Sequence, residues 1–234
     1  MYKQLTFSQL IPEHKALSEF IWGDNSLLKF HLEHIFDKTD DKFVYLWGAK
    51  GCGKSHLLQT ICTQYDNQLA SIYLPLALAN HLKPSCLDNL EAQSIVSIDD
   101  INLIQGQNDW EEAIFHLFNR IRDQKDTLLI ISGNKSPTQL ALKLPDLVSR
   151  LQWGMSYNLK EPTDEIKLQI IMQRAEKKGF VISEAVAQYL LSHYPRNLST
   201  QMSILDILDC SSLQAQRRTI SIPFIKGCLK DFNQ

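Results

Sequence analysis

Three groups of residues have the types and spacing to do chemistry together. The first is Gly48-Ala49-Lys50-Gly51-Cys52-Gly53-Lys54-Ser55, which fits the pattern G-x-x-x-x-G-K-S. A loop of this kind turns successive backbone N–H groups into one concavity. A helix starting at its end adds positive potential, so the whole is a cradle for phosphate. Lys54 would reach the β- and γ-phosphates of a nucleotide, and Ser55 would give its hydroxyl to Mg²⁺. The second group is Asp99-Asp100, at the end of the apolar run Ser94-Ile95-Val96-Ser97-Ile98. Asp99 is placed to hold Mg²⁺ through water, and Asp100 to polarise an attacking water. The third is Asn134, at the end of Thr127-Leu128-Leu129-Ile130-Ile131-Ser132-Gly133, where its amide could orient that water. The candidate nucleotide contacts are therefore Gly48, Gly51, Cys52, Gly53, Lys54, Ser55 and His56, with Ser55 and Asp99 on the metal. Each group has a plainer reading, as a glycine-rich turn or as acids capping a helix. The complete loop pattern favours the phosphate site, and the loop in turn favours the acids.

The surrounding elements have the order such a site needs. Phe43-Val44-Tyr45-Leu46-Trp47 reads as a buried strand before the loop, and His56-Leu57-Leu58-Gln59-Thr60-Ile61-Cys62 as a helix after it. Residues 70–74, 94–98, 127–133 and 155–159 read as further strands, and 75–82 as a short helix. Asp109 is expected to cap an amphipathic helix over 110–123, and Asp24 or Asn25 one over 26–36. His31 and His34 in that first helix are read as surface residues, since no third metal ligand is apparent. Residues 144–148 form a helical stretch before Arg150, with Leu151 and Trp153 expected to be buried. Strands alternating with helices predict an α/β fold, a doubly wound parallel sheet with its ligand at the strand carboxyl ends.

After Pro162 the pattern becomes helical. Thr163 caps one helix that Gly179 ends, and Ser183 caps a second. A third covers 198–217, then an extended piece at 219–222 leads to a helix from Pro223. The expected organisation is an N-terminal peptide over 1–12, an α/β nucleotide-binding domain over 13–161 and a small helical lid over 162–234.

Composition limits the alternatives. With 234 residues and a formal net charge of −2, the chain has a sizeable core and no overall charge for coating DNA or an anionic membrane. No apolar run approaches the ~20 residues that cross a bilayer, and the first residues lack a signal-peptide core. Five scattered cysteines, none in a CxxC pair, point to reduced thiols and a cytoplasmic protein.

Taken together, the phosphate loop, Asp99-Asp100, Asn134, Arg150 and a helical C-terminal region resemble an AAA+ ATPase of the DnaA clade. Residues 110–120, Leu147-Val148-Ser149-Arg150-Leu151-Gln152-Trp153-Gly154 and Ile222-Pro223-Phe224 look most like the Hda family, DnaA-related regulators of bacterial replication. The resemblance covers nearly the whole chain. It implies that Asn134 is sensor 1, Arg150 an arginine finger acting in trans, and Arg196 sensor 2. It also implies that the Phe20-Ile21-Trp22-Gly23 turn lines an adenine pocket, with Ile21 and Trp22 as contacts and ADP or ATP and Mg²⁺ as cofactors. It makes Gln4-Leu5-Thr6-Phe7 a peptide for the DNA polymerase sliding clamp (β subunit). There Gln4 would bond backbone at a pocket rim while Leu5 and Phe7 fill apolar pockets. Ser8 and Gln9 stand where the family usually has apolar groups.

Further expectations follow from the resemblance. The chain starts almost at the ATPase region and ends where no helix-turn-helix domain would fit, so DNA is reached only indirectly through the clamp, at the replisome. DnaA is the expected partner, a homodimer is left open, and the isolated chain is expected to hydrolyse ATP slowly. The segment before Ser94 is also too short for the extra helix with which DnaA grips single-stranded DNA. Two other functions compete. A DnaC-like helicase loader of the same clade would bind single-stranded DNA and helicase. A small-molecule P-loop kinase would leave Arg150 and the helical lid without a role.

Overall fold

The structure is a computed structural model and describes residues 17–36, 42–64, 69–124 and 126–229. It divides into two compact units, Met1–Lys160 and Glu161–Gln234. In the first, β1 (Phe43–Trp47), β2 (Ser71–Pro75), β3 (Ile95–Asp99), β4 (Leu128–Gly133) and β5 (Met155–Asn158) form one sheet. The strand order is β2-β3-β4-β1-β5, and every pair is parallel. The strands β1, β3 and β4 are apolar almost throughout because both faces of the sheet are covered. Phe43, Tyr45, Val96, Ile98, Leu129 and Ile131 point to one face, where α3 (Asn108–Gln124) and α4 (Pro145–Trp153) pack. Val44, Leu46, Ile95, Leu128 and Ile130 point to the other, under α1 (Ser26–Glu33) and α2 (Lys54–Gln64).

In this unit four expectations need correction. The helix α3 starts at Asn108, so Asp109 lies inside its first turn and does not cap it. The chain reverses at Gly106 (φ +80°), and the Gln107 carbonyl takes the N–H groups of Trp110 and Glu111. The helix α1 stops at Glu33, where the His34 N–H closes a tighter turn on the His31 carbonyl. His31 is buried, not on the surface, because it shares the inward side of α1 with Leu28 and Leu32 and meets the Tyr157 ring at 5.5 Å. Trp153 is 53% exposed. Leu147 and Leu151 supply the buried side of α4, and Trp153, two residues beyond Leu151, is turned about 200° away from it.

The second unit packs α5 (Asp164–Lys177), α6 (Glu184–His193), α7 (Leu198–Gln214) and α8 (Ile222–Cys228) around Ile171, Phe180, Leu190, Leu205, Leu208 and Ile225. Its caps are those the sequence predicts: Thr163 accepts the Ile166 N–H, and Ser183 accepts that of Val186. Asn197 does the same for Thr200 at the start of α7. The helix α7 ends before Arg217 because Gln216 adopts a left-handed conformation (φ +51°). The extended piece pairs, as β7 (Thr219–Ile220), with the parallel two-residue strand β6 (Val181–Ile182).

Candidate functional site

In a parallel sheet the carboxyl ends of all strands share one edge. The strand β4 lies between β3 and β1, with Gly133 beside Trp47 and Ile131 beside Ile98. The segments that leave these strands therefore start side by side: the glycine loop after β1, Asn134 after β4 and Asp100 after β3. These are three groups the sequence singles out, and the topology brings them to one edge.

The loop holds backbone that side chains rarely adopt. Gly48, Gly51 and Gly53 have φ of +155°, +86° and +105°. A Cβ on Gly48 would stand 2.5 Å from the Leu159 carbonyl oxygen. The Lys54 ammonium is buried and donates to the carbonyl oxygens of Gly48 (2.9 Å) and Ala49 (3.0 Å), with Cys52 Sγ at 3.9 Å. Ser55 and His56 are half-buried in the first turn of α2. The His56 ring stacks on Phe20 at 5.6 Å, and Phe20 meets Trp22 at 4.7 Å. Phe20 also lies over Gly53, 3.7 Å from where a Cβ would be. An aromatic wall thus stands at the loop, beside half-buried Ile21. The Trp22 indole N–H is buried with no acceptor among the described residues. Phe20 belongs to the Phe20-Ile21-Trp22-Gly23 turn that the resemblance assigns to the adenine pocket.

Asp99 is buried at the end of β3. The Tyr73 hydroxyl donates to its Oδ2 (2.7 Å) and the Ser132 hydroxyl to its Oδ1 (2.5 Å). Ser132 Oγ in turn accepts the N–H of Asp100 (2.9 Å). Burial, the Asp99 charge and the hydrogen bond to it push the Tyr73 phenol up, so it stays a donor. Asp100 has φ +58°, an uncommon conformation for a residue other than glycine. Burial and then Asp99 raise its pKa, while Lys54 and Lys50 pull it down. Tyr73 and Ser132 were missed, and their only signal was a polar group within an apolar strand.

Asn134 is exposed, and its backbone N–H is held by Asn102 Oδ1 at 3.0 Å. Gly133 before it admits no side chain, since a Cβ would stand 2.1 Å from the Tyr45 hydroxyl. Arg150, on α4, lies over the rings of Trp153 and Phe118. It forms no ion pair or hydrogen bond among the described residues. The start of α4 is held from α3: Glu111, fully buried, accepts the N–H groups of Lys143 (2.7 Å), Leu144 (2.8 Å) and Gly106 (2.8 Å). No sequence pattern marked Glu111 for this. In the second unit Arg196 is exposed between α6 and α7 and pairs with Asp164 at 3.1 Å. Gln4, Leu5 and Phe7 lie outside the described residues.

These features fit a nucleotide. The cradle excludes a Cβ at Gly48, the ammonium is directed into the loop, and a buried indole donor and stacking rings stand beside it. Among the described residues no three His, Cys, Asp or Glu side chains gather to hold a metal on their own. The Ser55 hydroxyl and Asp99 carboxylate are hard oxygen donors of the kind Mg²⁺ uses when phosphates and waters complete its shell.

The family model for the bacterial DnaA ATPase domain matches residues 11–158, and that for the Hda lid domain matches residues 164–229. The chain belongs to the bacterial DnaA ATPase family. It carries an Hda-type lid, and its fold is the AAA+ fold of DnaA. A protein of Haemophilus influenzae, described only as uncharacterized, is 42% identical over 98% of this chain and 99% of its own length. Domain III of the Thermotoga maritima replication initiation protein DnaA superposes with a TM-score of 0.78 at 23% identity, over 94% of this chain and 97% of that one. AMPPCP-bound DnaA from Aquifex aeolicus superposes with a TM-score of 0.68 at 20% identity, over 87% of this chain and 68% of that one. A Thermotoga maritima RuvB mutant gives 0.68 at 20%, over 95% and 73%. This DnaA-related chain is similar to each of them in fold. No helix among the described residues is long and apolar enough to cross a membrane.

Proposed function

We propose that this DnaA-related chain is an Hda-like regulator. It binds adenine nucleotide, docks through Gln4, Leu5 and Phe7 on the sliding clamp, and makes DnaA hydrolyse its ATP, which prevents re-initiation of replication. The observation that carries this reading is the match of residues 164–229 to the Hda lid, behind a DnaA-type ATPase domain. The same match favours a regulator over a helicase loader.

Within the chain's own site the glycine loop would cradle the phosphates, while Lys54 moves from its carbonyl partners to the phosphate oxygens. Phe20, Ile21, Trp22 and His56 would flank the base, and Arg196 would leave its exposed pair with Asp164, a contact weak enough to exchange. When bound through Ser55 and Asp99, Mg²⁺ would neutralise developing phosphate charge. Asp100 and Asn134 would orient water. The isolated chain is expected to turn over ATP slowly, because an AAA+ site is completed by a neighbour's arginine, worth ~10³–10⁵ in rate.

Arg150 is this chain's contribution to a neighbour. Its planar, permanently charged fork suits a γ-phosphate held by DnaA. The test is conversion of DnaA-bound ATP to ADP in the presence of clamp-loaded DNA. Wild-type protein should accelerate it, and Arg150→Ala should not, while still binding ADP and clamp. Full stimulation by Arg150→Ala would refute the finger. Loss of ADP binding would move Arg150 into the chain's own site.

A further inference from the structure

The surroundings of Arg150 show what sets its direction. Its guanidinium lies 4.9 Å from the centre of the Trp153 ring and 5.9 Å from that of Phe118. The two rings are stacked, 6.4 Å apart with planes 28° from parallel. Phe118 is buried and meets Phe43 of β1 edge-on at 5.0 Å, so the stack is anchored in the sheet. A second guanidinium, that of Arg122 on α3, lies 5.6 Å from the same indole. Trp153 itself is 53% exposed, so core packing alone does not account for so large an aromatic here.

A guanidinium is flat, and its N–H donors lie in its plane. A ring contact of this kind uses none of those donors for a hydrogen bond. Arg122 spends part of its edge on Asp123 Oδ1, at 3.2 and 3.3 Å. Arg150 has no such partner among the described residues. It is oriented by a ring and still has its donors to give. An arginine on a bare helix surface would explore many rotamers, and any geometry suited to phosphate would be a small fraction of them.

We propose that Trp153 is the positioning residue of Arg150: its indole, with Phe118 alongside, holds the guanidinium in place before any partner arrives. The proposal rests on the reading that Arg150 acts in trans on ATP bound by DnaA. Arg122 beside the same indole adds a second cation, as suits a polyphosphate.

The experiment compares full-length wild-type protein with Trp153→Phe, Trp153→Leu, Trp153→Gln and Arg150→Ala. The first measurement needs no partner: the Arg150 Nε–H proton resonance, assigned by its loss in Arg150→Ala. Ring current should place it upfield in wild type. It should move to the free-arginine position in Trp153→Leu, and stay shifted in Trp153→Phe. The second is single-turnover hydrolysis of DnaA-bound ATP with clamp-loaded DNA. Trp153→Leu should lower the maximal rate about tenfold, the scale of one partly desolvated cation–π contact. The concentration for half-maximal effect should change little, and Trp153→Phe should recover most of the rate. Trp153→Gln, suited to the exposed side, replaces the leucine variant if that one melts early. An unmoved Arg150 resonance in the ring-less variants, or their full rate where Arg150→Ala is inert, would overturn the positioning role. Full rate in Arg150→Ala would remove the trans reading instead, and the resonance would then report the stack alone.

Discussion

Lys54 and Asp100 show how the site's charges constrain one another. The Lys54 ammonium is buried, yet it is bonded to two neutral carbonyls, so a phosphate offers it a stronger charge-assisted partner. Lys54→Ala is expected to weaken ADP binding at least about tenfold, or ~1.4 kcal/mol, by calorimetry. Equal affinities would remove the phosphate-loop reading. Asp100 is the reverse case: burial and Asp99 raise its pKa, so the fold disfavours its charged form. A carboxyl raised in the folded state adds stability that is present below its unfolded pKa, near 4, and lost as pH rises through the folded value. Asp100→Asn should therefore melt higher than wild type at neutral pH, and the gain should fade as pH falls below about 4. A gain that grew on acidification would reverse the assignment. Lys54, Asp99 and Asp100 were legible in the sequence because they follow fixed offsets from a strand. Tyr73 and Ser132 were not, since their link to Asp99 runs between strands and leaves no local pattern.

Elements were read well where their periodicity and caps are local, as with β1, β3, β4 and the capped helices α5, α6 and α7. Their ends were less legible, because a turn such as that at Gly106, or a left-handed residue such as Gln216, decides them. The two-residue strand β6 carries too little pattern to be seen at all. The start of α4 is instructive: Leu144 occupies its cap position without a side-chain bond, and Pro145 follows. The N–H groups of Lys143 and Leu144 are satisfied by Glu111, a cap supplied from another helix. Arg150 thus depends on α3 twice, through Glu111 and through the Phe118 stack. Glu111→Ala would strand three N–H donors and is expected to lower stability by about 3 kcal/mol, and to loosen α4 first. Chemical denaturation gives the magnitude, and amide exchange at Lys143 and Leu144 gives the location. An unchanged exchange rate there would mean that the carboxylate does not hold α4.

At the scale of the whole molecule, the arginine can act only if the chain is brought to its partner. A net charge of −2 supplies no general attraction to DNA. Recruitment must then come from a specific contact, and Gln4, Leu5 and Phe7 are the residues proposed for it. A glutamine amide with two apolar anchors is a small interface, so few residues should carry most of its energy. Removing residues 1–10, or changing the three to alanine, should abolish clamp binding in a pull-down with DNA-loaded clamp. Residues 1–10 precede the match to the DnaA ATPase domain, which starts at residue 11, so melting temperature and ADP affinity should stay at wild-type values. Stimulation of DnaA should fall with clamp binding and return when the chain is supplied in large excess, because mass action replaces tethering. That recovery separates recruitment from chemistry, since Arg150→Ala should stay inactive at any concentration. Unchanged clamp affinity in the truncated protein would place the docking site elsewhere on the surface.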